Sequence, residues 1–179
     1  ILTEAQLKRR FKTIGHDITG LYAGYYVAEL LDGLNEDYDP HPQLYDDAIA
    51  VLELLSTSSD VAATVIRFEL SVLREIGQLP AWDICVRCGR PVDSAAWYGM
   101  KSSLGGVVCR PCLAHEEYYH RLTAGAVAVL RRLSEESNSP QPRVSISRQQ
   151  IAEIRNVLDS AIRQALGRRP KTLKFLKFN

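Results

Sequence analysis

The sequence lacks a strong excess of charge of either sign. Its 179 residues include 22 Lys and Arg and 21 Asp and Glu, so the formal net charge is +1. This balance argues against a uniformly basic nucleic-acid-binding protein. A hydrophobic content of 46% with a charged content of 24% argues against intrinsic disorder. The length instead suits one domain, or one domain with a small module, whose core needs no disulfide bonds.

Long apolar segments are also missing. No run of about 18 apolar residues occurs, so a membrane-spanning helix and a membrane partner are not expected. The first residues do not have the pattern of a secretory signal peptide. We therefore expect a soluble, cytoplasmic protein. Because a helical pattern starts almost at once, we also expect that a further segment precedes Ile1 in the complete protein.

Catalytic motifs are the third absence. No strand leads into a glycine-rich nucleotide-binding loop, and no Ser/His/Asp or paired-carboxylate arrangement stands out. His115 and His120 resemble a zincin pair but lie five residues apart, not four. On a helix this separation turns the two side chains about 140° from each other, so they cannot share a metal ion. We predict a protein without enzymatic activity and without a small-molecule substrate.

The few cysteines that are present form two pairs. Cys85 and Cys88 make one Cys-x-x-Cys motif, Cys109 and Cys112 make the other, and no further cysteine occurs. Thiolates suit zinc, and Gly89 can supply the positive φ that the turn after the first pair needs. The spacing predicts a four-cysteine zinc ribbon with one Zn²⁺ per chain. Four thiolates leave no open coordination position, so we expect a structural ion and not a catalytic one.

Two alternatives to zinc remain open but are weaker. A pair of disulfide bonds would require an oxidising compartment, which nothing in the sequence indicates. A redox-active Cys-x-x-Cys would need a βαβ context, whereas the surrounding pattern is helical.

Apolar residues at helical spacing predict a mainly α fold, a helical bundle-like domain interrupted by the small four-cysteine zinc ribbon. Residues 1–79 form one helical half, residues 80–116 the ribbon, and residues 117–179 a second helical half that packs on the first and ends in a basic tail. The predicted helices are Thr3–Thr13, Asp17–Leu34, Gln43–Leu55, Val61–Ile76, a helix capped by Thr123, and a helix from the Ser147/Gln150 capping box to Leu166. Short strands are predicted at 96–98 and 107–108, a linker at 138–143, and a helix stop at Gly77.

Charge and aromatic residues are distributed unevenly. Acids dominate residues 29–75, and bases dominate the C-terminal region. The candidate DNA- or partner-binding residues in the tail are Arg168, Arg169, Lys171, Lys174 and Lys177. The apolar residues between them are expected to dock on the core, namely Leu173, Phe175, Leu176 and Phe178. We interpret Tyr22, Tyr25 and Tyr26 as core or helix-contact residues and not as a base-stacking platform.

Four features in order carry a resemblance to a known family. They are Leu21–Leu31 with its tyrosines, Arg67–Pro80, the Cys-x-x-Cys-Gly-Arg-Pro stretch at Cys85–Pro91, and the ending Leu166–Leu176. Together they resemble the C-terminal part of the bacterial recombination mediator RecO. Proteins of this kind pair an N-terminal OB-fold, which this sequence does not include, with a helical domain that carries a zinc ribbon.

The resemblance implies a function as well as a fold. It implies a nucleoid-associated repair protein that binds and anneals single-stranded DNA and contacts single-strand-binding protein and other recombination mediator proteins. It also implies that the four cysteines are metal ligands. A zinc-ribbon adaptor that binds other proteins and makes no contact with nucleic acid is the alternative.

Overall fold

Helices make up most of the residues that the computed structural model describes, which are 3–8, 10–12, 18–35, 38–57, 60–93, 97–115, 118–135, 144–176 and 178. The α-helices of this described part are α1 (Ile18–Leu34), α2 (Pro42–Thr57), α3 (Val61–Glu75), α4 (Ala124–Glu135) and α5 (Arg148–Leu166). The strands are β1 (Trp97–Lys101), β2 (Gly106–Cys109) and β3 (His120–Thr123), and short 3₁₀ turns span Ser102–Leu104, Arg110–His115 and Thr172–Phe175. The mainly α prediction is confirmed.

Helix α3 is the centre of the core. Its residues are apolar on nearly every side, so α1, α2, α4 and α5 all pack against it. The Asp60 side chain caps its start by accepting a hydrogen bond from the Ala63 backbone N–H at 3.0 Å. The helix stops where predicted, because Gly77 adopts a φ of +69° and Gln78 N–H bonds back to the Leu73 carbonyl at 2.7 Å. Helices from before and after the cysteine region therefore share one core.

A buried polar network ties three helices together inside this core. Glu69 of α3 is fully buried. It accepts a hydrogen bond from the Tyr26 hydroxyl of α1 at 2.5 Å and forms an ion pair with Arg155 of α5. Burial, and then the Glu69 charge, raise the pKa of Tyr26 well above its ordinary value, so its hydroxyl stays a donor. The network pairs Glu69 with Tyr26 and Arg155, each of which would be costly to bury alone.

The C-terminal tail is anchored on α1 by a single carboxylate. Glu29 accepts hydrogen bonds from Arg168 Nη1 at 2.8 Å, the Lys171 backbone N–H at 2.7 Å, and the backbone N–H and hydroxyl of Thr172 at 2.9 and 2.5 Å. Burial alone would raise the pKa of Glu29, but these donors lower it from 4.5 to about 2. Leu173 and Leu176 are buried, as expected for a docked tail, whereas Phe175 is 45% exposed and contacts α1 by stacking on Tyr22.

The tyrosines of α1 divide between core and surface. Tyr26 is fully buried, and the Tyr22 ring stacks on Phe175 with a centroid distance of 4.8 Å. Both fit the interpretation as core or helix-contact residues. Tyr25 is 58% exposed, so that interpretation is wrong for it. Helical rotation places Tyr25 outside the face that Tyr22 and Tyr26 present to the core and tail.

The predicted helix at Thr3–Thr13 is wrong. Residues 3–8 and 10–12 form no helix, and the Phe11 ring lies so close to Gly24 of α1 that a Cβ there would be 2.5 Å from it. A segment this short needs a packed face to remain helical, and Leu7 is 77% exposed. Docking of one aromatic side chain therefore replaces helix formation.

Two further sequence predictions concern a linker and a membrane-spanning helix. The predicted linker at 138–143 lies outside the described residues. None of the described helices has both the length and the apolar character required to cross a bilayer.

Replacing Glu69 by Gln should destabilise the protein by about 3–5 kcal/mol, because Arg155 would be left buried without its counter-charge. Tyr26→Phe, which removes one hydrogen bond, should cost about 1 kcal/mol. Urea unfolding followed by circular dichroism measures both. The matched control is Glu135→Gln, the same chemical change at an exposed helix end. Equal costs for Glu69→Gln and Glu135→Gln would contradict this account of the core.

Replacing Glu29 by Gln should loosen the tail and make stability less sensitive to acid. A carboxyl group with a lowered pKa stabilises the fold above its unfolded-state pKa, and that stabilisation is lost as pH falls from about 4.5 to about 2. The parent should therefore lose more free energy of unfolding over this range than Glu29→Gln. Trypsin should also cleave after Lys171 and Lys174 faster in the variant at neutral pH. Unchanged cleavage and an unchanged pH profile would show that Glu29 does not anchor the tail.

Candidate metal centre

The four cysteine side chains converge on one point. The Sγ atoms of Cys85, Cys88, Cys109 and Cys112 all lie within 4.8 Å of one another. Cys88 Sγ and Cys109 Sγ are 3.7 Å apart, and all four thiols are free. A disulfide would bring two sulfurs to about 2.05 Å. A tetrahedral ion with bonds of about 2.3 Å would place its sulfurs about 3.8 Å apart. The arrangement thus fits a metal ion.

The first Cys-x-x-Cys motif forms a tight turn because of the glycine that follows it. Gly89 has a φ of +70°, a conformation that side chains other than glycine rarely adopt. Its backbone N–H bonds to the Cys85 carbonyl at 2.8 Å, and the Cys85 N–H bonds to the Arg90 carbonyl at 2.8 Å. These bonds close the turn and bring the Cys85 and Cys88 sulfurs to the same side.

The second motif begins at the end of β2 and continues into the Arg110–His115 turn. The Cys109 N–H donates to Cys85 Sγ at 3.3 Å, which joins the two motifs directly. Gly106 permits this approach, since a Cβ there would lie 2.5 Å from Val86 Cγ1 and 2.8 Å from the Ala81 carbonyl oxygen. The Val86 N–H donates to the Val107 carbonyl at 3.0 Å, and this bond holds the same junction. Glycine is thus required here for close packing.

A small antiparallel sheet carries the second motif. Its strand order is β2-β1-β3, and Tyr98 of β1 lies opposite Cys109 of β2 and Leu122 of β3. The two predicted strands are present, although β1 extends to Lys101. Strand β3 is not among the predicted strands, since it lies beyond the predicted end of the ribbon at residue 116. The alternation that ends in buried Leu122 is the signal that could have identified it.

The junction of β3 and α4 attaches this module to the helices. Glu153 of α5 accepts hydrogen bonds from the Thr123 N–H and Thr123 hydroxyl, both at 2.8 Å, and from Gln149 at 2.9 Å. The Thr123 hydroxyl in turn accepts from the Ala126 N–H at 3.2 Å, which confirms its predicted role as a cap. The position of the sheet is therefore fixed by α5.

The electrostatics of the site favour a bound cation. Burial would raise the pKa of Cys85, but backbone N–H groups, including that of Cys109, lower it to about 6. The pKa of Cys112 is raised to about 12, first by its hydrogen bond with Cys109 and then by the other sulfurs. Four thiols this close lose all their protons only when positive charge compensates them. Within the described residues no other set of three or more His, Cys, Asp or Glu side chains could hold a metal ion.

The predicted tail residues differ in their surroundings. Arg168 is paired with Glu29, so its charge is partly neutralised. Arg169 and Lys171 are exposed. Lys174 is exposed as well, with its ammonium 4.8 Å from the Phe175 ring centroid. Lys177 lies outside the described residues.

The sheet carries an aromatic cluster that the sequence patterns did not predict. The Trp97 and Tyr119 rings stack with a centroid distance of 6.0 Å and an interplanar angle of 19°. The Arg121 guanidinium lies 4.6 Å from the Trp97 ring centroid. Their approach depends on strand pairing between β1 and β3, which sequence spacing alone did not indicate.

A helical core with four converging cysteines beside a small sheet defines the class as a helical domain with a candidate metal site, and comparison with known proteins specifies the family. The family described as "Recombination protein O C terminal" matches residues 15–174. The chain belongs to this family, and the resemblance inferred from the sequence is confirmed.

Relatives named DNA repair protein RecO support the assignment. Over 141 aligned residues, the chain is 34% identical to the DNA repair protein RecO from Rhodopirellula baltica. The alignment covers 78% of this chain and 52% of that protein. Over 175 aligned residues, the chain is 30% identical to the DNA repair protein RecO from Anaeromyxobacter dehalogenans. The alignment covers 98% of this chain and 68% of that protein. The chain thus spans about half the length of the first relative and about two thirds of the second.

Replacing Cys85 by Ser should lower the thermal unfolding midpoint and open residues 80–115 to proteolysis, because a bound metal ion stabilises only the folded cluster. A strong chelator should lower the unfolding midpoint of the parent and leave the midpoint of Cys85→Ser nearly unchanged. The variant therefore serves as the control for the chelator. Thermal scans by circular dichroism measure the midpoints, and limited digestion with trypsin measures the opening of residues 80–115. A parent whose midpoint is unaffected by chelation would argue against a metal-stabilised site.

Proposed function

We propose that this chain is the helical, zinc-binding part of a DNA repair and recombination mediator that has no catalytic activity of its own. In this role it binds and anneals single-stranded DNA as part of a nucleoid-associated protein in the cytoplasm. The observation that carries the proposal is the family match over residues 15–174, together with relatives named DNA repair protein RecO.

Zinc is the proposed ion, one per chain, with a structural role. The four cysteines are the proposed ligands. Thiolate sulfur suits zinc, and the separations between the sulfurs suit a tetrahedron. A site with four protein ligands has no position left for water or substrate, which supports a non-catalytic role. When bound, the ion would hold the two Cys-x-x-Cys turns together and so keep the sheet in place against α5.

The tail is the proposed surface for the DNA backbone. Burial of Leu173 and Leu176 and the Glu29 anchor hold the tail on α1. Arg169 and Lys171 then face solvent, with Lys174 beside them. Ordered cations of this kind suit phosphate groups, and such binding weakens as salt concentration rises.

Single-strand-binding protein and other recombination mediator proteins are the proposed protein partners. One observation also favours the adaptor function as a second candidate. Ile18, Leu21 and Tyr25 recur on one side of α1 and are 64%, 41% and 58% exposed. An exposed apolar stripe on a helix suits contact with another protein.

Neutralising the tail tests the DNA-binding function. The triple change Arg169→Gln, Lys171→Gln and Lys174→Gln should weaken binding of a labelled oligothymidylate about tenfold at low salt. It should also reduce the slope of log affinity against log salt by about 2, since each lost phosphate contact contributes about 0.7. Fluorescence anisotropy across a salt series measures both. The matched control is Lys8→Gln, Arg10→Gln and Lys12→Gln, three exposed cations in the N-terminal segment.

Equal losses in the two triple variants would show that the tail is not a specific DNA surface. If neither this chain nor a longer protein that contains it binds or anneals single strands at low salt, the mediator function is wrong. Capture of single-strand-binding protein by the same samples would then favour the adaptor.

A further inference from the structure

The sheet has a second face, on which Leu113 of the Arg110–His115 turn packs at Gly99. Tyr98, Met100 and Leu122 point inward and are at most 2% exposed. Because neighbouring side chains on a strand alternate between faces, Trp97 and Arg121 lie on the opposite side. Trp97 is partly exposed, and Arg121 is exposed.

Two aromatic rings and a guanidinium are stacked on this face. Tyr119 lies nearly parallel to Trp97, and Arg121 lies over the Trp97 ring. Gly99 makes room between the strands, since a Cβ there would be 3.0 Å from the Tyr119 ring and 2.6 Å from Leu113. The cluster can form because Gly99 of β1 has no side chain.

Among the residues that the structure describes, Arg121 forms no salt bridge. Glu153 is the acid that interacts with it electrostatically. Both Glu153 oxygens are already hydrogen bonded, one to Thr123 and the other to Gln149. The guanidinium can therefore leave the Trp97 ring for an incoming anion without breaking a salt bridge to any described residue.

We propose that Trp97, Tyr119 and Arg121 form a stacking site for an unpaired nucleobase of a single-stranded nucleic acid. Flat aromatic side chains stack on any base, and an adjacent arginine contacts its ring or its phosphate. The base would stack on the accessible part of the Trp97–Tyr119 pair, and Arg121 would move to the neighbouring phosphate. This inference rests on the proposed function and adds a base-contacting site to the phosphate-contacting tail.

The sulfur cluster helps to position the strand that carries Trp97. Cys109 lies directly opposite Tyr98 in the sheet, and Tyr98 is the neighbour of Trp97 in β1. A metal ion that holds the two Cys-x-x-Cys turns would thereby also hold the strand that presents Trp97.

Fluorescence of Trp97 tests the proposal in the full chain. The only other tryptophan is Trp82, which is 3% exposed, so a Trp82→Phe variant isolates the Trp97 signal. Oligothymidylate should quench this signal to saturation, whereas an abasic strand of the same length should not. If Trp82→Phe does not fold, the difference between the spectra of the parent and of Trp97→Phe reports Trp97 instead.

Affinity measurements separate stacking from charge. Trp97→Ala should weaken binding of oligothymidylate about tenfold and leave binding of the abasic strand unchanged. Trp97→Phe should restore most of the loss, which a merely structural defect elsewhere would not do. Tyr45→Ala, which removes a 66% exposed aromatic ring from α2, is the matched control and should have no effect.

The outcomes distinguish this site from the broader function. Binding of oligothymidylate that neither quenches Trp97 nor weakens in Trp97→Ala would overturn the stacking site and leave DNA binding intact. Absence of binding to either strand would overturn both the stacking site and DNA binding by this chain.

Discussion

The approach of four cysteine sulfurs to within 4.8 Å constrains the whole region between α3 and α4. Two tight turns must face each other, which requires the positive φ of Gly89 and the close contact at Gly106. Strand β2 then ends at Cys109 and pairs with β1, and β1 pairs with β3. The start of α4 follows directly from β3, so the geometry of the sulfurs extends into the helical core.

Three carboxylates join this core across long stretches of sequence. Glu69 links α3 to α1 and α5, Glu153 links α5 to the end of β3, and Glu29 links α1 to the tail. Each accepts several hydrogen bonds, which offsets the cost of removing its charge from water. The helices on either side of the sheet therefore meet in a defined arrangement, and the tail presents its cations from a fixed position. These contacts therefore connect the fold with the proposed DNA binding, because they fix the tail that carries the cations.

Local sequence patterns predicted the parts of the fold that depend on local chemistry. Gly77 and the Ser147/Gln150 capping box mark helix ends through interactions with residues a few positions away, and both occur where expected. The spacing of the cysteines likewise identified a cluster that the structure brings together. These signals need no knowledge of distant contacts.

Features that depend on tertiary contacts could not be predicted in the same way. The segment with Phe11 is basic and periodic, yet docking against Gly24 replaces the expected helix. Glu69 and Glu29 resemble ordinary surface acids in sequence, because their partners lie 43 to 143 residues away. The Trp97–Tyr119 stack depends on a strand pairing that includes the missed β3.

Metal content tests the central claim of this account most directly. Elemental analysis of the chain, purified without added metal, should find about one zinc ion per molecule and almost none in Cys85→Ser. A well-folded parent that contains no metal and has four thiols open to alkylation would contradict it.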